Sequence, residues 1–336
     1  MKRKLLVLWM VLSGALAQSL SLSTFGQEVK KNAPGNSRTF RFDYGATLKD
    51  LPAGARVRAW LPVPQSTDRQ TVKALQQELP SAGQLHTDPV YGNRILYFEL
   101  TRSASPSVAF TTSYLVRREE VRGLSSGGEQ VDLTDRQRQL FLSANTLVPV
   151  TGKQLELLKG ISFPQDPLAI ARTLYDRVDD HVKYDKSRPG YGNGDVLWVC
   201  DSRTGNCTDF HSLFISWARA KGIPARFEIG FSLPSERGKG VISGYHCWAE
   251  FYNGQSWVPV DISEADKHPE MKQYFFGNLT ENRVAFTIGR DINLVPRQSG
   301  EPLNYFLFPY VEVNGLPWPK EKIELSCAYA DIEREK

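Results

Sequence analysis

The chain has 336 residues, 41% of them apolar and 23% charged. That is ordinary globular composition, long enough for two domains or one large one, and it excludes a polytopic membrane protein. The formal net charge of +4 includes Lys2, Arg3 and Lys4. These precede an apolar run from Leu5 to Leu16, interrupted only by Ser13 and Gly14. Ala15-Leu16-Ala17 follows, with small residues at the positions a signal peptidase reads. The run is shorter than the ~20 residues a spanning helix needs, so the pattern predicts a cleaved export signal, with an uncleaved anchor as the alternative. Without those three charges the chain is at +1, which excludes a nucleic-acid partner. The expected location is periplasmic or extracellular, and the membrane is met only through the signal segment if it stays uncleaved.

The signal and the start of the mature arm occupy residues 1–26, and residues 27–38 read as a flexible arm. Residues 39–120 read as a β-rich N-terminal domain. Phe40, Phe42 and Tyr44 alternate with Arg41 and Asp43. Val57, Ala59, Leu61 and Val63 repeat the pattern, and the runs at 95–100 and 108–116 are further strands. Turn signals at Pro52-Ala53-Gly54, Gly92-Asn93 and Ser105-Pro106 separate them, as in a small sandwich. Residues 121–166 read as linker and helices: GLSSGG at 123–128 is linker-like, and 133–158 is helix-compatible but broken by Pro149 and Gly152. Residues 167–336 read as a second domain that ends in strands and holds the candidate catalytic residues. Its first helix, 167–182, carries Leu168, Ala171, Leu174, Tyr175 and Val178 on one face and Pro167 at its first position. Residues 185–206 are a loop by composition.

Phe210, Leu213, Phe214, Trp217 and Ala218 mark one face of a helix that begins near Cys207, after a Gly-rich loop, and ends at Gly222. A thiol at a helix start meets free backbone N–H groups that stabilise its anion, and the Cys207 N–H can hold the oxyanion of an acyl-transfer intermediate. The competing readings are a small buried side chain or half of a disulfide. Asp209 is read as a helix-start residue and His211, one turn after Cys207, as a surface or capping residue. The other cysteines are Cys200, Cys247 and Cys327. With Cys207 reserved for chemistry at most one bridge forms. The six residues between Cys200 and Cys207 fit no tight zinc-ligand pair.

Val241 to Tyr252 alternates over its second half and is followed by Asn253-Gly254, a strong hairpin signal. A two-residue turn there predicts that position numbers of opposed residues sum to 507, which pairs His246 directly with Asp261 across the strands. That is how an acid orients a catalytic histidine. The same register sets Pro259 opposite Trp248 at a hydrogen-bonding position, a conflict that a bulge or an edge location would remove by making Asp261 a diagonal neighbour. Cys247 should point away from His246, packed or bridged. Trp198, Tyr245 and Trp248 are the aromatic candidates for a substrate wall.

GNCTDFHSLFISWARAKGIPAR, GYHCWAEFY and WVPVDIS resemble, in order, the three blocks of the transglutaminase-like superfamily, over roughly residues 165–265. The β-rich region with RVRAWLPVPQS is similar to the N-terminal domain of bacterial secreted members. The resemblance implies an α+β fold: a papain-like core with a helix-borne cysteine on an antiparallel sheet, preceded by a small β-sandwich-like domain. It implies Cys207 as nucleophile, His246 as base and Asp261 as its orienter, acting on a peptide or protein substrate. The expected reaction is thiol-dependent amide hydrolysis. Capture of the acyl-enzyme by an amine, and a non-catalytic binding module, are the alternatives. No cofactor and no metal is expected, because the calcium-binding clusters of the animal enzymes have no obvious counterpart.

Overall fold

Alternation builds the first strand. In β1 (Ser37–Leu48) Phe40, Phe42, Tyr44, Ala46 and Leu48 are buried and Arg41 is exposed, which gives one apolar face. The computed structural model describes residues 35–101, 105–124 and 130–332. The export segment, the start of the arm and most of the GLSSGG linker lie outside them.

Five more strands follow: β2 (Arg56–Val63), β3 (Gln70–Glu78), β4 (Gln84–Thr87), β5 (Arg94–Thr101) and β6 (Val108–Glu119). Then come α1 (Asp135–Leu142), α2 (Pro167–His181), α3 (Val196–Ser202) and α4 (Cys207–Ala220). Strands β7 (Ala225–Ser232), β8 (Lys239–Val241), β9 (His246–Tyr252) and β10 (Trp257–Val260) precede α5 (Ile262–Lys267). The chain closes with β11 (Arg283–Ile288), β12 (Tyr310–Val313) and β13 (Ile323–Asp331).

The sandwich draws on both ends of the chain. One sheet runs β8-β13-β1-β6-β3, and the other contains β12-β2-β5-β4. Phe98 and Phe110 meet between them with ring centroids 5.5 Å apart. The C-terminal strands, expected to belong with the catalytic segment, complete these two sheets instead: β13 pairs with β1 from Phe40↔Asp331 to Leu48↔Ile323, and β12 pairs with β2.

The third sheet, β10-β9-β7-β11, carries the site. It packs on the first through Phe42 and Tyr44, whose ring centroids lie 5.4 Å from Phe231 and 5.5 Å from Phe286 respectively. Gly230 in β7 is needed for this sheet to close, since a Cβ there would stand 1.9 Å from the Val284 carbonyl oxygen. The free edge of β11 is covered by two side-chain amides that imitate a neighbouring strand. Gln70 donates to the Ala285 carbonyl and accepts its N–H (3.0 and 2.8 Å). Asn93 does the same at Ile288 (2.8 Å each).

Helix α4 is buried from Cys207 to Arg219, where the periodicity predicts only one buried face. Its polar face is covered by 143–154: Ser216 donates to the Pro149 carbonyl, and Arg219 to the Ser143 carbonyl and Asn145 Oδ1 (2.7 Å each). Hydrogen bonds thus replace the solvent such a face would otherwise require. Within 133–158 only α1 is an α-helix, started by a Thr134–Gln137 capping box. The Gly-rich stretch 185–206 contains α3, which composition hides; Asp195 caps it.

Candidate active site

Asn206 is the N-cap of α4. Its side chain accepts the Thr208 N–H (2.9 Å), and its carbonyl accepts the N–H groups of Asp209 and Phe210. The Cys207 N–H is not among these cap bonds. Asp209 completes a capping box by accepting the Asn206 N–H (2.8 Å), as expected of a helix-start residue. It also accepts the N–H groups of Gly192 and Gly194 (2.7 and 2.9 Å), tying the preceding loop to the helix start. Gly194 has φ +62°, and a Cβ there would meet Ser212 Oγ and Arg290 Nη2 at 2.3 Å, so this loop accepts only glycine.

His246 begins β9, and Asp261 ends the return strand as N-cap of α5. The register differs from the expected one: Tyr252 opposes Trp257 and Ala249 opposes Val260, a sum of 509. The loop has four residues because Asn253 Oδ1 accepts the N–H groups of both Gln255 and Ser256 (2.9 Å each), removing them from the ladder. Pro259 therefore opposes Glu250, on the edge strand, where its missing N–H leaves no partner unsatisfied. Asp261 becomes a diagonal neighbour of His246. The contact survives, with His246 Nε2 2.7 Å from Asp261 Oδ2.

Asp261 is fully buried and has four hydrogen-bond partners. Besides His246 it accepts from Arg283 Nη1 (3.1 Å), Ser263 Oγ (3.2 Å) and the Glu264 N–H (3.3 Å). Burial alone would raise its pKa, but the charges of His246 and Arg283 and the bond to His246 hold it far below the carboxylate range. With Nε2 engaged by Asp261, Nδ1 of His246 is the nitrogen left for Cys207, and the two side chains are hydrogen-bonded. Burial disfavours the imidazolium, yet the Asp261 charge and the bonds to Asp261 and Cys207 raise the His246 pKa to about 10. Burial likewise opposes the Cys207 thiolate, but hydrogen bonds from Cys247 and His246 and the His246 charge hold its pKa well below the thiol range. Between those two pKa values the site is a thiolate–imidazolium pair.

Cys247 is packed, as its alternation with His246 predicts, and what it packs against is the start of α4. Its Sγ faces α4, 3.7 Å from Thr208 Oγ1 and 3.8 Å from His211 Nδ1, and it donates to Cys207. Burial and the neighbouring thiolate keep it protonated. All four cysteines are unbridged. His211 is not at the surface but fully buried. Its Nε2 accepts the Ile262 N–H (3.0 Å), which leaves the ring proton on Nδ1, toward Cys247. Burial lowers its pKa to about 4, so Asp261 Oδ1 at 3.8 Å makes no ion pair with it near neutral pH. Its i+4 spacing from Cys207 was the available signal.

The aromatic candidates separate. The Tyr245 hydroxyl bonds Asn206 Nδ2 (2.9 Å) and Thr208 Oγ1 (2.8 Å), which sets its ring at the start of α4 beside Tyr305 and the exposed Phe308. Half-buried Trp198 lies under the loop at Gly190, where a Cβ would come within 2.7 Å of its indole nitrogen. Trp248 cannot line a substrate wall. It is fully buried, its indole N–H is donated to Glu228 (2.5 Å), and the Arg283 guanidinium lies 4.9 Å from its ring. Alternation along β9 sends it to the side of the sheet away from α4. The sequence reading missed Arg283 because it arrives from a distant strand, and missed Tyr184, whose phenol is affected by burial and then by the Cys207 charge. Among the described residues, His246, Asp261 and Glu264 bring donor atoms within 4.8 Å of one another. A cation there would have to displace the His246–Asp261–Arg283 contacts.

A helix-borne thiol, a strand-borne imidazole and a carboxylate at the start of the next helix define a papain-like core. Residues 156–262 match the model of the transglutaminase-like superfamily, so that segment of the chain is similar to it. An uncharacterized protein of Haemophilus influenzae is 29% identical over 309 residues, covering 80% of this chain and 84% of its own. A crystal structure from Cytophaga hutchinsonii, described as a "putative cysteine protease", superposes with a TM-score of 0.57 and 18% identity. It covers 90% of this chain and 94% of its own, a likeness of fold.

Proposed function

We propose that the chain is an exported thiol-dependent amide hydrolase working through an acyl-enzyme on Cys207. The observation that carries this reading is geometric: Cys207 at the start of α4 meets His246, which the buried Asp261 holds at 2.7 Å. Cys207 Sγ adds to the amide carbonyl, and the Cys207 N–H receives the oxyanion. The His246 imidazolium gives its Nδ1 proton to the leaving amine as the C–N bond breaks, leaving a thioester and neutral His246. Water then adds with His246 taking its proton, the C–S bond breaks, and a carboxylic acid leaves.

Incubating a peptide library with the enzyme in H2 18O, with and without a primary amine, tests the reaction. New peptide carboxylates carrying the label are expected, with amine adducts a minor fraction. Predominant amine adducts would replace hydrolysis by transamidation. No Cys207-dependent product would leave a non-catalytic binding module. The burial of Trp248 removes one aromatic wall of a dry acceptor site, which favours water. Export rests on the Lys2–Ala17 pattern. The mature chain is expected to begin after Ala17, and N-terminal sequencing that returned residue 1 would overturn cleavage.

A further inference from the structure

Behind the catalytic sheet, on the side away from Cys207, lies a cavity of about 380 Å³ between α1, the end of β6 and the strands β7, β9 and β10. That is ample for a small ligand. Three guanidinium groups line it, and two have partners: Arg226 bonds Glu250 (2.6 Å) over the Trp257 ring, and Arg69 pairs with Asp68 (3.4 Å). Arg118 differs. It is 3% exposed and its Nε is buried without a hydrogen-bond partner. A buried N–H left unfilled on a cation is costly to the free protein, and a bound anion that fills it lowers that cost. Across the cavity Glu228, 8% exposed, has only the Trp248 indole as hydrogen-bond partner and lies beyond ion-pair distance of Arg118. Burial, with the Glu250 charge, raises its pKa to about 7. The apolar wall is Phe141 packed edge-on against Trp257, centroids 5.1 Å apart.

We propose that this cavity is a second binding site, for a free amino acid with an apolar side chain. Arg118 takes the carboxylate, Glu228 takes the ammonium, and the side chain lies on the Phe141–Trp257 wall. The ligand supplies an acceptor for the unfilled Arg118 Nε–H and a direct ion pair for Glu228, whose nearby Arg118 and Arg226 charges make no hydrogen bond to it. The site is independent of the reaction assigned to Cys207.

Calorimetric titration of the full chain with L-leucine and L-phenylalanine tests this. One of them should bind with a Kd below about 1 mM, the range for a ligand of this size. Leucinamide, which lacks the carboxylate, and 4-methylpentanoate, which lacks the amine, should each bind at least ~10-fold more weakly than leucine, or give no heat. Arg118→Met should abolish binding. Leu140→Trp, which fills the cavity from α1 and leaves both charged groups in place, should do the same if the Arg118 variant fails to fold. Absence of heat with both amino acids overturns the proposal. So does equal binding of leucinamide or 4-methylpentanoate, or unchanged binding in a folded Arg118 or Leu140 variant.

Discussion

At pH 6, iodoacetamide is expected to alkylate Cys207 on the order of a hundredfold faster than Cys200, the cysteine least buried of the other three. The Cys200 pKa is raised by burial, then by Asp201, to about 11, so at pH 6 about one molecule in 10⁵ carries that thiolate. Cys207 is held as thiolate by Cys247 and His246. The lower basicity of Cys207 gives back part of the advantage, because nucleophilicity falls with pKa, and about two orders of magnitude remain. Burial keeps Cys247 and Cys327 slower still. The pH dependence is the sharper signature. The Cys207 rate should be nearly flat from pH 6 to 8, where an ordinary thiol gains about tenfold per unit. Amide hydrolysis, unlike alkylation, also needs the His246 proton and should fall as pH rises through about 10. His246→Ala should restore an ordinary thiol profile. Peptide mapping of the alkylated chain gives all these rates, and a Cys207 rate that climbs tenfold per unit would exclude the ion pair.

Asp261→Asn should lower kcat for amide hydrolysis by roughly 10⁴, the scale seen when a triad acid is neutralised. The amide keeps the shape but removes the charge that raises the His246 pKa, and it can present an N–H where His246 Nε2 needs an acceptor. The imidazole then loses its proton near its ordinary pKa, and the Cys207 thiolate loses its cation. Arg283 would be left 2% exposed without its carboxylate, at a cost of about 3–5 kcal/mol. The variant should therefore unfold at a lower denaturant midpoint while its Cys207 alkylation becomes pH-dependent. An Asp261→Asn enzyme within tenfold of the parent kcat would rule out the assigned role.

Local signals carried much of this site. The apolar period of α4, the Gly-rich approach to Cys207 and the alternation around His246 are all properties of short segments. The His246–Asp261 contact was expected for a partly wrong reason. Asn253-Gly254 suggests a two-residue turn, but the Asn253 side chain draws Gln255 and Ser256 into the loop. The diagonal spacing of the true register still brings the two side chains together. What sequence could not convey came from afar. Arg283 reaches Asp261 from another strand, and His211 is buried by residues distant in the chain, Cys247 of β9 and Ile262 of α5. Trp248 misled for a related reason: alternation assigned it a face, but not what lies behind that face.

The pairing of β1 with β13 has a consequence for the order of events during synthesis. One edge of β1 can be closed early by β6, but its other edge waits for residues 323–331. At about 5–20 residues per second, the unpaired edge stands open for roughly 15–60 s after β1 has emerged. An open edge of alternating Phe and Tyr residues invites pairing with another chain. The protein is thus a late folder by construction, exposed to aggregation until its last strand arrives, and a chain still unfolded is also one that can be threaded through a membrane.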